Sequence, residues 1–81
     1  MTNFERVINL IGQLTEVSVT SNDGVLINIP VQIDSYDIDD EEKQVSFGDL
    51  DEHEILICDS DIIKIEENVV WLKKYLLVFK V

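Results

Sequence analysis

The spacing of apolar residues changes near the twelfth residue. Up to that point Phe4, Val7, Ile8 and Ile11 recur at intervals of three and four, which places them on one face of a helix. Thr2-Asn3-Phe4-Glu5 has the form of a capping box, in which the Thr2 hydroxyl accepts from the Glu5 amide and the Glu5 carboxylate reaches back to the Thr2 amide. Gly12 is a natural stop. The pattern therefore predicts a short amphipathic helix over residues 3–11. From Leu14 the period is two. Val17 and Val19 fall on one side, with Glu16, Ser18 and Thr20 on the other, so 14–20 reads as a strand. Ser21-Asn22-Asp23-Gly24 is a turn signal, since Asp-Gly tolerates positive φ.

Val25, Ile27, Ile29, Val31 and Ile33 then alternate, predicting a long second strand over 25–36. Pro30 lies inside it and cannot donate to a ladder, so the strand is expected at an edge, or bent or bulged. Asp37 to Glu42 reads as an acidic turn, 43–47 as a third strand around Val45 and Phe47, and Gly48 to Glu54 as a second acidic loop. Ile55 and Ile57 mark a fourth strand over 54–58. Asp59-Ser60-Asp61 is a tight connection into a fifth strand over 61–66. The tail from Val69 to Val81 admits two readings. Asn68 can cap a helix carrying Leu72, Tyr75, Leu76 and Phe79, whereas Tyr75, Leu77, Phe79 and Val81 alternate as a strand. A strand over 75–81 is preferred, because a helix here would be apolar around most of its circumference.

Composition adds a partition of charge. The net charge is −11, and 14 of the 17 acidic residues fall between Asp34 and Glu67, opposed there only by Lys43 and Lys64. The apolar fraction of 46% across 81 residues fits one small globular domain over residues 1–81 rather than a disordered chain. A single field of one sign on a small domain repels nucleic acid and attracts basic protein surfaces. Trp71 and Tyr75 flank Lys73-Lys74, but two lysines cannot offset −11 on a phosphate backbone. Direct nucleic-acid binding is therefore not expected. No secretory leader pattern and no membrane-length apolar run occurs, so the expected location is cytoplasmic, or the host cytoplasm for a viral gene.

Little in the chain suggests a reaction. Asp37, Asp39 and Glu41, and separately Asp49 and Asp51, have the alternate spacing of oxygen ligands for a divalent cation. The glycine and final glutamate of an EF-hand are missing, and solvated hairpin turns are the expected reading. Neither metal nor cofactor is expected. His53 and Cys58 occur once each; His53 lies among carboxylates that favour its charged form, so a Cys–His nucleophile is not expected either. The chain reads as a non-enzyme.

The order of elements, a helix followed by five short strands with a bent second strand, resembles the Sm-like fold within the SH3-type small β-barrels. The resemblance rests on Val17-Ser18-Val19-Thr20 before Asp23-Gly24, on Ile33-Asp34-Ser35-Tyr36-Asp37, and on Ile55-Leu56-Ile57 with Asp61-Ile62-Ile63-Lys64-Ile65, and spans Asn3 to Glu66. The YolD-like family of small Gram-positive proteins has a similar pattern. The fold this implies is mainly β: one N-terminal helix, a five-stranded barrel, and an apolar C-terminal strand or short helix. RNA-binding Sm proteins carry an Asn after the aromatic–acidic pair and an Arg-Gly in the closing hairpin. Here those stretches read Asp39-Asp40-Glu41-Glu42 and Cys58-Asp59-Ser60, so the implied RNA-binding function does not carry over.

The expected function is that of an acidic protein-binding module. Asp37, Asp39, Asp40, Glu41, Glu42, Asp49, Asp51, Glu52 and Glu54 are its candidate contact residues. A basic surface on a nucleic-acid-binding protein is the expected partner, in the manner of small phage or mobile-element inhibitors of restriction or CRISPR nucleases. Trp71, Tyr75 and Phe79 form a candidate apolar interface. Two alternatives stand beside this reading. One is a self-assembling Sm-like subunit or YolD-like regulator, which would be a homo-oligomer. The other is a binder of a small molecule at a subunit interface.

Overall fold

The helix forms where its cap and its apolar stripe agree. In the computed structural model, which describes residues 1–48 and 54–80, α1 spans Asn3–Ile11. The Thr2 Oγ1 accepts from the Glu5 amide and the Glu5 Oε1 accepts from the Thr2 amide, both at 3.1 Å. These bonds, with the N-terminal amine and Lys43 nearby, hold the Glu5 carboxyl below its ordinary value. A depressed carboxyl stabilises the fold above its ordinary range and loses that contribution as pH falls through the lowered value. Phe4, Val7 and Ile11 are buried, with Ile8 and Leu10 packed at the core margin. The Gly12 amide closes the last turn on the Ile8 carbonyl at 2.8 Å, and Leu14, at φ 53°, redirects the chain. Replacing Thr2 by alanine is expected to cost about 1 kcal/mol. Thermal melting should show this as a fall in Tm of about 4–8 °C.

Eight strands follow: β1 Glu16–Ser21, β2 Ile29–Gln32, β3 Ser35–Asp39, β4 Gln44–Gly48, β5 Glu54–Cys58, β6 Ile62–Glu66, β7 Val69–Leu72 and β8 Tyr75–Phe79. They make two antiparallel sheets, one ordered β2-β1-β8-β7-β6 and the other β3-β4-β5. The inner faces meet in one core. Val17 and Val19 of β1, Val70 of β7, and Leu77 and Phe79 of β8 face Val45 and Phe47 of β4 and Ile55 and Ile57 of β5. Phe47 and Phe79 join the sheets directly, with ring centroids 6.3 Å apart and a 44° tilt. Helix α1 packs chiefly against β6 and adds its apolar stripe to the same core.

The mainly β character, the helix and the strand-like tail agree with the sequence reading, and several boundaries do not. The expected strand over 25–36 is divided. Residues 25–28 are loop, because the Ser21 Oγ accepts from the Leu26 amide at 2.9 Å and Asp23 Oδ1 accepts from the Val25 amide at 3.0 Å. Asn28, at φ 49°, then resets the chain, and its amide donates to Thr20 Oγ1. Val25 and Ile27 are left 77% and 65% exposed, so their alternation was not a strand face. Gly24 takes φ 79°, as the turn signal required. Pro30 sits in β2, an edge strand, where its missing donor costs no ladder bond.

At Ile33–Asp34 the chain passes from one sheet to the other. The Ile33 amide donates to the Thr15 carbonyl at 3.0 Å and the next amide, Asp34, to Gly48 at 2.9 Å. Asp37 to Asp39 therefore lie in β3, not in a turn; the turn is residues 40–43. The tail holds two strands where one was expected. Val69–Leu72 had no visible alternation because both of its faces carry apolar residues. Asn68 does not cap a helix: its Nδ2 donates to the Phe79 carbonyl at 2.6 Å, and its own carbonyl accepts from the Phe79 amide at 2.8 Å. The described strands form sheets of five and three strands, and among the described residues the ladders do not close into the expected five-stranded barrel. No helix among the described residues is long and apolar enough to cross a membrane.

Candidate acidic interaction surface

The register of the three-stranded sheet sorts its side chains into two faces. Tyr36, Phe47 and Ile55 share one row, and Ile38, Val45 and Ile57 the next, both on the core side. The opposite, outer face carries Ser35, Gly48 and Glu54, then Asp37, Ser46 and Leu56, then Asp39, Gln44 and Cys58. Asp37 and Asp39 are therefore on the same face of β3, about 7 Å apart along the strand. Glu54 lies on that face too, one row beyond Asp37 and across on β5.

The turn continues the acidic line. Asp39 Oδ1 accepts from the amides of both Glu41 and Glu42, each at 3.1 Å, which fixes the turn and leaves Oδ2 free of those bonds. Lys43, at φ 53°, ends the turn, and its carbonyl accepts from the Asp59 amide at 2.9 Å. Asp37, Asp39, Asp40, Glu41 and Glu42 are all exposed, as is Glu54. The structure thus brings together six of the nine expected contact carboxylates on one sheet and its turn. The other three, Asp49, Asp51 and Glu52, lie outside the described residues, as does His53. Among the described residues, no three metal-ligating side chains converge on a point that could hold an ion.

β3 itself is unusual. It is a sheet edge, and all five of its residues are exposed on both faces. Tyr36 and Ile38 point to the core side yet remain 39% and 40% accessible, because the core ends at β4. The sequence reading ended the second strand at Tyr36 and placed Ile38 in an acidic turn, so it did not show that the two share the core-side face of one strand.

The expected apolar interface separates into different environments. Phe79 is fully buried and belongs to the core, so it is not available to a partner. Tyr75 is half-buried against the core margin. Trp71 is on the outer face of the five-stranded sheet, in register with Lys64 and Leu76. The Lys64 ammonium sits 4.9 Å from its ring centroid and 3.0 Å from Glu66 Oε1. Val69 and Val78 pair in the adjacent row, and Ile63, at an irregularity in the β6–β7 register between the partners of Leu72 and Trp71, is 62% exposed. This outer face thus carries an apolar patch of Val69, Trp71, Leu76 and Val78, bordered by Lys64 and Glu66 on β6 and by Ser18 and Thr20 on β1.

Compared with known proteins, the chain matches no family model, no curated protein and no solved structure.

Proposed function

We propose that the protein is a non-enzymatic, acidic docking module whose β3–β4 hairpin binds a basic surface on another protein. The observation that carries this reading is the arrangement of Asp37, Asp39, Asp40, Glu41 and Glu42, all exposed, on one strand and a turn pinned by Asp39. A preset array of charge needs little ordering on binding, which favours association over a flexible acidic tail. Alternate residues of β3 supply one charge per about 7 Å, half the density of a DNA strand at one per about 3.4 Å of rise. The turn carboxylates raise that density at the hairpin tip. A surface evolved for phosphates is the partner this pattern fits, and inhibition of a nucleic-acid-binding enzyme, such as a phage-borne block on a restriction or CRISPR nuclease, is the activity it supports. The corner at Ile33–Asp34 supports treating the two sheets as an opened relative of the Sm-like or SH3-type barrel, with the nucleic-acid face reversed in sign.

The apolar outer face around Trp71, Leu76 and Val78 favours a second reading, in which two copies meet through the five-stranded sheet. One experiment addresses both. The full chain, immobilised, is exposed to host lysate at 50 and 500 mM NaCl, and the free chain is sedimented under the same conditions. Retained proteins should be basic and should be lost at high salt, where the Debye length falls to a few ångströms. Retention unchanged by salt would sink the docking reading. A dimer that persists or tightens in high salt would support the second.

A further inference from the structure

The outward edge of β3 is an unfilled position in a sheet. An edge strand offers a row of backbone donors and acceptors to a further strand. Among the described residues, the ladder of Ser35–Asp39 runs to β4 alone, and no turn, loop or cap backbone bond reaches these residues from elsewhere. Helix α1 packs chiefly against β6 in the other sheet and meets β3 at the Tyr36 hydroxyl, which lies beside Gly12 on the core side, away from the outward row of backbone groups. Tyr36 and Ile38 stay partly accessible on the core side, where a neighbouring strand would cover them.

Resting on the docking reading above, we infer that β3 takes up an extended segment of the partner as a fourth strand of the three-stranded sheet. We further infer that this segment alternates basic and apolar residues. The side chains of β3 set that alternation. Opposite residues of paired strands stand about 4.5–5.5 Å apart on the same face. Residues beside Asp37 and Asp39 must therefore be Lys or Arg, and residues beside Tyr36 and Ile38 must be apolar. A second copy of this chain fits poorly, because antiparallel pairing of the whole of β3 with itself sets Asp37 opposite Asp37, and a two-residue shift in register sets Asp37 opposite Asp39; like charges directly opposite destabilise a ladder. The carboxylates thus close the edge to self-association and leave it open to a basic strand. Main-chain bonds give the affinity and alternate side chains the selectivity, as in other strand additions.

The test uses the full chain and a seven-residue peptide alternating Lys and Val, capped at both ends. Three comparison peptides accompany it: the same residues in block order, the alternating peptide N-methylated at every Val, and that peptide N-methylated at every Lys. Binding is followed by NMR titration and amide hydrogen exchange. The alternating peptide should slow exchange of β3 amides. Only one of the two N-methylated forms should lose binding, by about tenfold or more, because successive amides point to opposite edges of a strand. If all four peptides bind within twofold of each other, the surface acts by charge alone; strand addition is overturned and the docking reading stands. If basic proteins bind but slowed exchange maps elsewhere than residues 35–39, strand addition is likewise overturned. Failure of every basic peptide and protein to bind overturns both.

Discussion

Replacing Phe79 by alanine is expected to cost a large part of the stability of this fold, about 3–5 kcal/mol. Phe79 is 0% exposed, and its ring meets Phe47 across the gap between the two sheets. Its backbone is held from both sides, by Asn68 across the tail hairpin and by its register partner Val17 in β1. Because these contacts tie it in place, the surroundings have little freedom to collapse into the space a smaller side chain would leave. Truncation of a buried phenylalanine costs about 3–5 kcal/mol. A domain of this length holds about 4–12 kcal/mol in total. Urea denaturation should therefore show the unfolding free energy of Phe79→Ala lowered by about 3–5 kcal/mol, with Phe79→Leu intermediate. Trp71→Ala, on the outer face, should lose only about 1 kcal/mol, since Trp71 is only partly buried and its ring packs under the Lys64 ammonium. Equal losses at the two positions would mean that the five-stranded sheet has its faces the other way round.

Five replacements made together, Asp37→Asn, Asp39→Asn, Asp40→Asn, Glu41→Gln and Glu42→Gln, are expected to abolish partner binding while leaving the fold intact. They take the net charge from −11 to −6. Each is nearly isosteric. Asn at position 39 keeps the side-chain oxygen that accepts from the amides of residues 41 and 42, so the turn is retained. Exposed charge pairs contribute about 0.2–1 kcal/mol each. The set should weaken binding by about 100-fold or more and flatten its salt dependence, as read by calorimetry from 50 to 500 mM NaCl. The melting temperature at low salt should rise, because self-repulsion falls. Binding within threefold of the unaltered protein would show that the hairpin is not the contact.

The parts of the fold legible in the sequence were those where one local signal had no competitor. The cap at Thr2 and Glu5, the β1 alternation and the buried Ile55 and Ile57 of β5 each combine period with an unambiguous boundary. The expectations failed where tertiary structure assigned meaning to a pattern that was locally neutral. Val25 and Ile27 alternate as well as Val17 and Val19 do, yet the hydroxyls of Ser21 and Thr20 capture the backbone of residues 26 and 28 first. Val69 to Leu72 is apolar at every position, so its period of two cannot be seen. Of the candidate surface, the identities of the carboxylates were plain, and their clustering along the chain was too. What the sequence could not convey is that Asp37 and Asp39 share a face with Glu54, since that depends on the β4 register that joins β3 to β5.

The corner at Ile33–Asp34 has a mechanical meaning. Two successive amides are anchored in different layers, one on Thr15 and one on Gly48. Tilting the strand would strain both bonds at once. A load taken up along β3 is therefore shared, within one peptide unit, between β4 and the segment that follows the helix.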